Sequence, residues 1–214
     1  YMYALLARLY GNNNLPDSSN MCHESTSVGL PRSIGVPVGT VLLEDFEHCD
    51  CILSFGQNVG VNSPRMLHPL QDAARRGADI ITFNPLYERG WERFTNPQEP
   101  LAMATGASTR ISNAYFPVRA GGDLAVMHGI AKALFALDDE AKADPSRERI
   151  LDVGFIETHT NGFEAFEQAV RAIAWSDIER ESGLTRADIE GVAAVYAQAK
   201  ASILIYGMGL TQHR

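Results

Sequence analysis

The chain lacks any apolar run approaching the roughly 20 residues that span a bilayer, so no membrane segment is expected. It lacks a basic excess: 18 Lys and Arg stand against 26 Asp and Glu, for a net charge of -8. That balance argues against a nucleic-acid or anionic-membrane surface. Cysteine is scarce: three residues, an odd number without disulfide spacing, so a reducing cytoplasm is the expected location. No Gly-x-Gly-x-x-Gly occurs, so ordinary dinucleotide binding is not supported. No Lys stands at the glycine-bearing strand exits described below, which excludes a Walker-type phosphate loop. The first ten residues lack a basic n-region and a signal cleavage site, and there is no initiator Met. The chain also stops directly after a strand-like run, so we expect an excerpt of a longer polypeptide.

What is present is an ordinary globular composition, 45% hydrophobic and 21% charged over 214 residues, enough for one large domain or two small ones. Residues 1–10 read as the end of a helix, and Thr40 as the cap of a short helix through Leu42–Glu47. Cys51–Phe55 reads as a buried strand. A helix follows, with Ser63 as cap, Pro64 at its first position, Pro69 kinking it or delaying its start, and Gly77 ending it. Asp79–Phe83 is the next strand, completing a βαβ unit. Residues 84–109 read as an irregular loop, 115–119 as extended, and Asp123 as the cap of a helix carrying Leu124, Met127, Ile130, Ala131 and Leu134. Residues 138–149 read as a charged linker with Asp138, Asp139 and Glu140 on a solvated face. Residues 152–200 read as helical, with Thr185 and Asp188 as a capping box. Ser202–Tyr206 is a closing strand. The expected fold class is α/β, a parallel sheet with flanking helices in Rossmann-like βαβ units. The expected division is 1–48 as an active-site loop with leading helices, 49–137 as a Rossmann-like cofactor part, 138–200 as a helical part, and 201–214 as a closing strand with the start of a second cofactor loop.

Cys22 and His23 are adjacent on a polar stretch rather than in an apolar run. A thiolate can ligate a soft metal or attack an electrophile, and an imidazole moves a proton near neutral pH. Two strands exit through Gly56-Gln57-Asn58 and Gly207-Met208-Gly209, the positions where ligands sit in open parallel sheets. Glycine there lets backbone N–H groups approach phosphate, and Asn58, Thr211 and Gln212 add neutral hydrogen bonds. Taken singly, Cys22-His23 also fits a structural pair, and each glycine exit a tight turn without ligand. Cys49 and Cys51, beside His48, lack a fourth ligand at zinc spacing. They read as core thiols sharing one face of a strand start.

In order along the chain, Asp17–Leu30, Cys51–Asn58, Gly77–Pro85, Phe116–Gly129, Phe155–Phe166 and Ala199–His213 resemble the large catalytic subunit of molybdopterin oxidoreductases, in the formate-dehydrogenase-like branch. Met21-Cys22-His23 and residues 207–213 are the specific pieces. The resemblance implies a bis-molybdopterin guanine dinucleotide with Mo or W in the full-length protein. It implies Cys22 as metal ligand and His23 as the proton acceptor beside it. Around the dinucleotides it places Gly56, Asn58, Asn84, Pro85, Gly121, Asp123, Gly207, Met208, Gly209, Thr211 and Gln212. Asn84 stands where the family usually carries Asp, which removes a negative acceptor. Glu24 stands where typical formate dehydrogenases carry Gly, placing a carboxylate beside the site of an anionic substrate. The implied partners are a small-molecule substrate such as formate, the remainder of the chain and an electron-transfer subunit. Two other readings stay open on the residues alone: a cysteine hydrolase using Cys22, and a non-catalytic scaffold in an electron-transfer complex.

Overall fold

The computed structural model describes residues 1–15 and 22–213, which form two compact units, Tyr1–Thr40 and Val41–Arg214. Residues 17–21, the polar stretch before Cys22, lie outside the described residues. In the smaller unit, helix α1 spans Met2–Leu9 as the sequence predicts, and helix α2 spans Glu24–Ile34. Helix α2 was not singled out in the sequence; it runs through Gly29 and Pro31, two residues of low helix propensity. Neither helix buries a residue; Met2, Leu6 and Leu9 of α1 are exposed.

The larger unit is built on a four-stranded parallel sheet. Its strands are β1 (Cys51–Phe55), β2 (Asp79–Phe83), β5 (Ala114–Phe116) and β6 (Ser202–Tyr206), ordered β5-β2-β1-β6. All five residues of β1 are buried, as expected for a strand paired in parallel on both edges and covered on both faces. The side chains alternate. Ile52 enters one core with Ile80 and Ile203, while Cys51, Leu53 and Phe55 enter the other with Ile81 and Phe83.

The β1–β2 connection carries a short helix α3 (Val59–Asn62) and then α4 (Leu67–Arg76), whose Leu67, Leu70 and Ala73 cover the Ile52 face. Pro69 delays the start of α4: a 3-10 turn over Pro64–Met66 comes first, and Pro69 falls in the first helical turn, where its missing N–H costs nothing. Ser63 precedes that turn without capping it; its Oγ accepts instead from Gln57 Nε2 at 3.1 Å. The β2–β5 connection is more ordered than its prolines led us to expect. It holds helix α5 (Arg89–Glu92), strand β3 (Arg93–Phe94), helix α6 (Pro100–Thr105) and strand β4 (Thr109–Arg110), with β3 and β4 antiparallel.

The β5–β6 connection covers the opposite face with α7 (Asp123–Ala143), α8 (Val153–His159), α9 (Phe163–Ala172), α10 (Trp175–Ser182) and α11 (Arg186–Gln198). Val126, Ile130 and Ala133 of α7, Ile178 of α10, and Ile189, Val192 and Ala193 of α11 fill that core. Thr185 and Asp188 cap α11 reciprocally, as the spacing predicts.

Three expectations are corrected here. The segment from 138 is solvated only in part: Asp139 and Glu140 are exposed as expected, but α7 runs on to Ala143 and Asp138 falls on its inward face, fully buried. Its carboxylate accepts two bonds from Arg149 at 2.8 Å each and backbone N–H bonds from Ile150 and Leu151. Thr40 does not cap the turn Leu43–Glu47; the Asp45 carboxylate accepts the Leu42 N–H at 2.7 Å instead. Cys49 and Cys51 are both buried but enter opposite cores, because Cys49 lies before the pleat begins.

Candidate functional site

The strand tips form a staircase. Gly207 N–H donates to Phe55 O at 2.9 Å, Gly56 N–H to Phe83 O at 2.8 Å, and Asn84 N–H to Phe116 O at 3.1 Å. Each exit is thereby hooked to the last residue of its neighbour. Beneath the steps, the rings of Phe55 and Phe83 stack at 4.7 Å and those of Phe83 and Phe116 at 5.4 Å. An aromatic residue closes every strand of the sheet (Phe55, Phe83, Phe116, Tyr206), a regularity visible in the sequence that our reading of it left unused.

Chain order reverses between β1 and β6. From β1 the chain steps to β2 and β5 on one side, then returns across the other face to β6. That is a topological switch point, where parallel sheets open a crevice. Gly56 and Gly207 meet there so closely that a Cβ on Gly207 would lie 2.5 Å from Gly56 O. Asn58 caps α3, its Oδ1 accepting from Val61 N–H at 3.2 Å. Asn84 is buried and its amide donates to Leu86 O, folding its own loop around the exposed Pro85.

Gly121 lies in the turn before α7. Asp123 does not cap that helix: Gly122 is the N-cap and Asp123 the first helical residue. A side chain at Gly122 would strike Glu181 O at 2.6 Å, so no longer capping residue fits there. Asp123 is buried, and burial pushes its carboxyl up from the usual range, while His213 opposes that shift. His213 Nδ1 stands 3.5 Å from Asp123 Oδ2, joining the turn before α7 to the β6 exit. Met208–Gln212 is a 3-10 turn in which Thr211 Oγ1 donates to Met208 O at 2.8 Å. Gly209 and Gln212 are exposed.

Within the larger unit, then, the residues expected around the cofactor gather at one end of the sheet. Cys22 and His23 belong to the smaller unit. There Cys22 is half-buried, and His23 is exposed as the N-cap residue of α2, its carbonyl accepting from Ser27 N–H at 3.0 Å. Among the described residues, no three His, Cys, Asp or Glu side chains gather as a metal site.

Of the two tryptophans, one is structural to this end of the sheet. Trp91 is fully buried, and its indole N–H donates to Gln57 O, tying α5 to the β1 exit. Gln57 lies beside Gly207, where a Cβ would stand 3.2 Å from its Oε1, and donates to Ser63 Oγ at 3.1 Å. Trp175 carries the Arg186 guanidinium 5.0 Å over its ring and has no part in the exits.

No protein-family profile matches the chain. It is 52% identical over 213 residues to Protein YdeP of Escherichia coli (strain K12), covering 100% of this chain and 28% of that protein. It is 24% identical over 213 residues to Formate dehydrogenase H of the same organism, covering 99% of this chain and 26% of the relative. Among solved structures, Acetylene Hydratase from Pelobacter acetylenicus matches with a TM-score of 0.71 and 19% identity, over 99% of this chain and 25% of that one. The chain thus spans about a quarter of the length of the curated relatives it matches.

Proposed function

We propose, from the premise that this chain is a stretch of a formate-dehydrogenase-like molybdopterin oxidoreductase, that its larger unit holds a molybdopterin guanine dinucleotide at the β1/β6 switch point. The observation that carries the proposal is the backbone contact of Gly56 with Gly207 at that crevice, where a Cβ on Gly207 would lie 2.5 Å from Gly56 O. The donor set fits. The rim offers neutral groups from Asn58, Thr211 and Gln212 and one buried carboxylate, Asp123. A guanine edge presents an amino donor that a carboxylate accepts.

When bound, the molybdenum or tungsten group supplies a two-electron redox couple. Cys22 would supply it a thiolate ligand, and His23 would hold at a ring nitrogen the proton released from the substrate. Gly56, Gly121 and Gly209 have open space where a Cβ would stand, which leaves room for phosphates and pterin rings, while Gly207 lets the β6 exit approach β1 and leads into Met208. Asn84 and Pro85 shape the loop between β2 and α5. The Phe55–Phe83–Phe116 stack stiffens the floor beneath them.

The substrate is a small molecule such as formate, and the electrons leave to a partner subunit. Two buried thiols outside any disulfide, Cys49 and Cys51, suit a reducing cytoplasm. Among the described residues no helix is long and apolar enough to cross a membrane. The test is Cys22→Ala in the full-length protein, purified without oxygen. Turnover is expected to vanish while most of the metal and pterin is retained, because phosphate and pterin contacts dominate cofactor affinity. Retained turnover refutes the ligand role, and absence of metal and pterin from the unmutated protein refutes the reading as a whole.

A further inference from the structure

Most arginines of the larger unit are engaged. Arg75 pairs with Glu99, Arg149 with Asp138, Arg171 with Asp139, Arg180 with Asp177 and Arg186 with Glu190. Arg147 reaches Glu140, and Arg76, Arg110 and Arg119 donate to backbone carbonyls. Among the described residues, only Arg65, Arg89 and Arg93 of this unit have neither an acidic partner nor a hydrogen-bond acceptor. Two of these three, Arg89 and Arg93, line one cleft of about 460 Å³ with Asn58, Thr95 and Ser108. In a chain with a net charge of -8, two cations left together without partners are conspicuous.

The cleft floor is built rigidly. Gly60 and Gly90 bring α3 and α5 into backbone contact: a Cβ on Gly90 would lie 2.8 Å from Gly60 Cα. Trp91, between the two arginines, is fully buried and bonded to the β1 exit. The guanidinium groups are therefore carried on fixed backbone rather than on a free loop. Glu88 also lines the cleft, and the neighbouring Glu92 is exposed; neither pairs with Arg89 or Arg93.

We propose that this cleft is a binding site for a phosphoryl group, held by Arg89 and Arg93 with Thr95 and Ser108 as hydroxyl donors. A carboxylate needs one bidentate guanidinium, whereas a phosphoryl group offers three oxygens and uses two forks with hydroxyl donors between them. The site needs neither Cys22 nor a metal; where its phosphoryl group is the dinucleotide's, it rests on the cofactor reading above. The phosphoryl group can come from a bound dinucleotide or from a separate phosphate ester, because Asn58 borders both this cleft and the β1 exit.

The test uses the full-length protein and inorganic phosphate, followed by calorimetry and ³¹P NMR on cofactor-loaded and cofactor-stripped samples. Saturable binding is expected, weakened at least about tenfold by Arg89→Ala with Arg93→Ala. Arg65→Ala, also partnerless but outside the cleft, is expected to leave binding unchanged. Both variants touch exposed side chains, and unchanged melting confirms that they fold. Binding only to the stripped protein assigns the site to the cofactor's phosphate, and binding to both forms to a separate ester. No saturation up to about 10 mM phosphate overturns the proposal. So does equal weakening by Arg65→Ala. The metal and pterin content of the same samples reports on the redox reading separately.

Discussion

Adding one methyl group at Gly207 tests the switch point directly. The backbone at Gly207 is extended, with φ of -87° and ψ of 168°, so alanine meets no conformational penalty there. The obstacle is steric. The new Cβ would stand 2.5 Å from Gly56 O and 3.2 Å from Gln57 Oε1. The amide can rotate away, but the carbonyl is backbone and is held by the Gly56 N–H bond to Phe83 O. Relief therefore requires the β6 exit to move away from β1, stretching the Gly207 N–H bond to Phe55 O. Forced overpacking costs about 1–3 kcal/mol and a weakened hydrogen bond about 1 kcal/mol more. For a unit of this size that lowers the melting temperature by roughly 5–15 °C. Gly209→Ala is the internal control, since a Cβ there meets nothing within 4 Å. It is expected to change stability by less than about 0.5 kcal/mol. Thermal denaturation of the 214-residue chain reads both. Equal melting of the two variants would refute the claim that the exits touch.

Asp138 offers a test by pH. Its bonds from Arg149 hold the carboxyl well below the usual range, so its stabilisation is complete above the unfolded value near 4. That stabilisation is lost as pH falls through the lower folded value. Asp138→Asn is expected to cost about 2–4 kcal/mol at pH 7 in urea denaturation. It should also flatten the loss of stability below pH ~4; a variant as acid-sensitive as the parent contradicts the assignment. Burial pushes Cys51 up to about 11 and raises Cys49 as well. Iodoacetamide at pH ~8 should therefore spare both thiols in the native chain and label both in denaturant, as read by mass spectrometry. Labelling of Cys51 without unfolding would show that its core opens.

Much of the sheet was legible in advance because parallel strands read as short apolar runs between turn residues. Cys51–Phe55, Asp79–Phe83 and Ser202–Tyr206 are such runs, each followed by glycine or asparagine, although the edge strand β6 leaves Leu204 and Tyr206 exposed. The capping pair Thr185 and Asp188 was equally readable, since it acts over three residues. Residues 89–110 were not, because Pro97, Pro100 and the glycines mask short elements held in place by Trp91 rather than by local propensity. Asp138 was misread for a related reason. Acidic residues in a run look solvated, and only the returning chain at Arg149–Leu151 makes burial of that carboxylate affordable.

The sequence by itself determined which residues could bear chemistry: the thiol and imidazole at positions 22 and 23 and the small residues that end each strand. It also determined the alternation of cores along β1, because side chains on a strand point to opposite faces whatever surrounds them. Tertiary structure alone decided that Gly56 meets Gly207, that Asp123 meets His213, and that Arg89 and Arg93 share a cleft without partners. Those encounters span 90 to more than 150 residues of chain, or depend on a tryptophan anchoring a loop. They follow from the order in which the strands assemble, which no local pattern encodes.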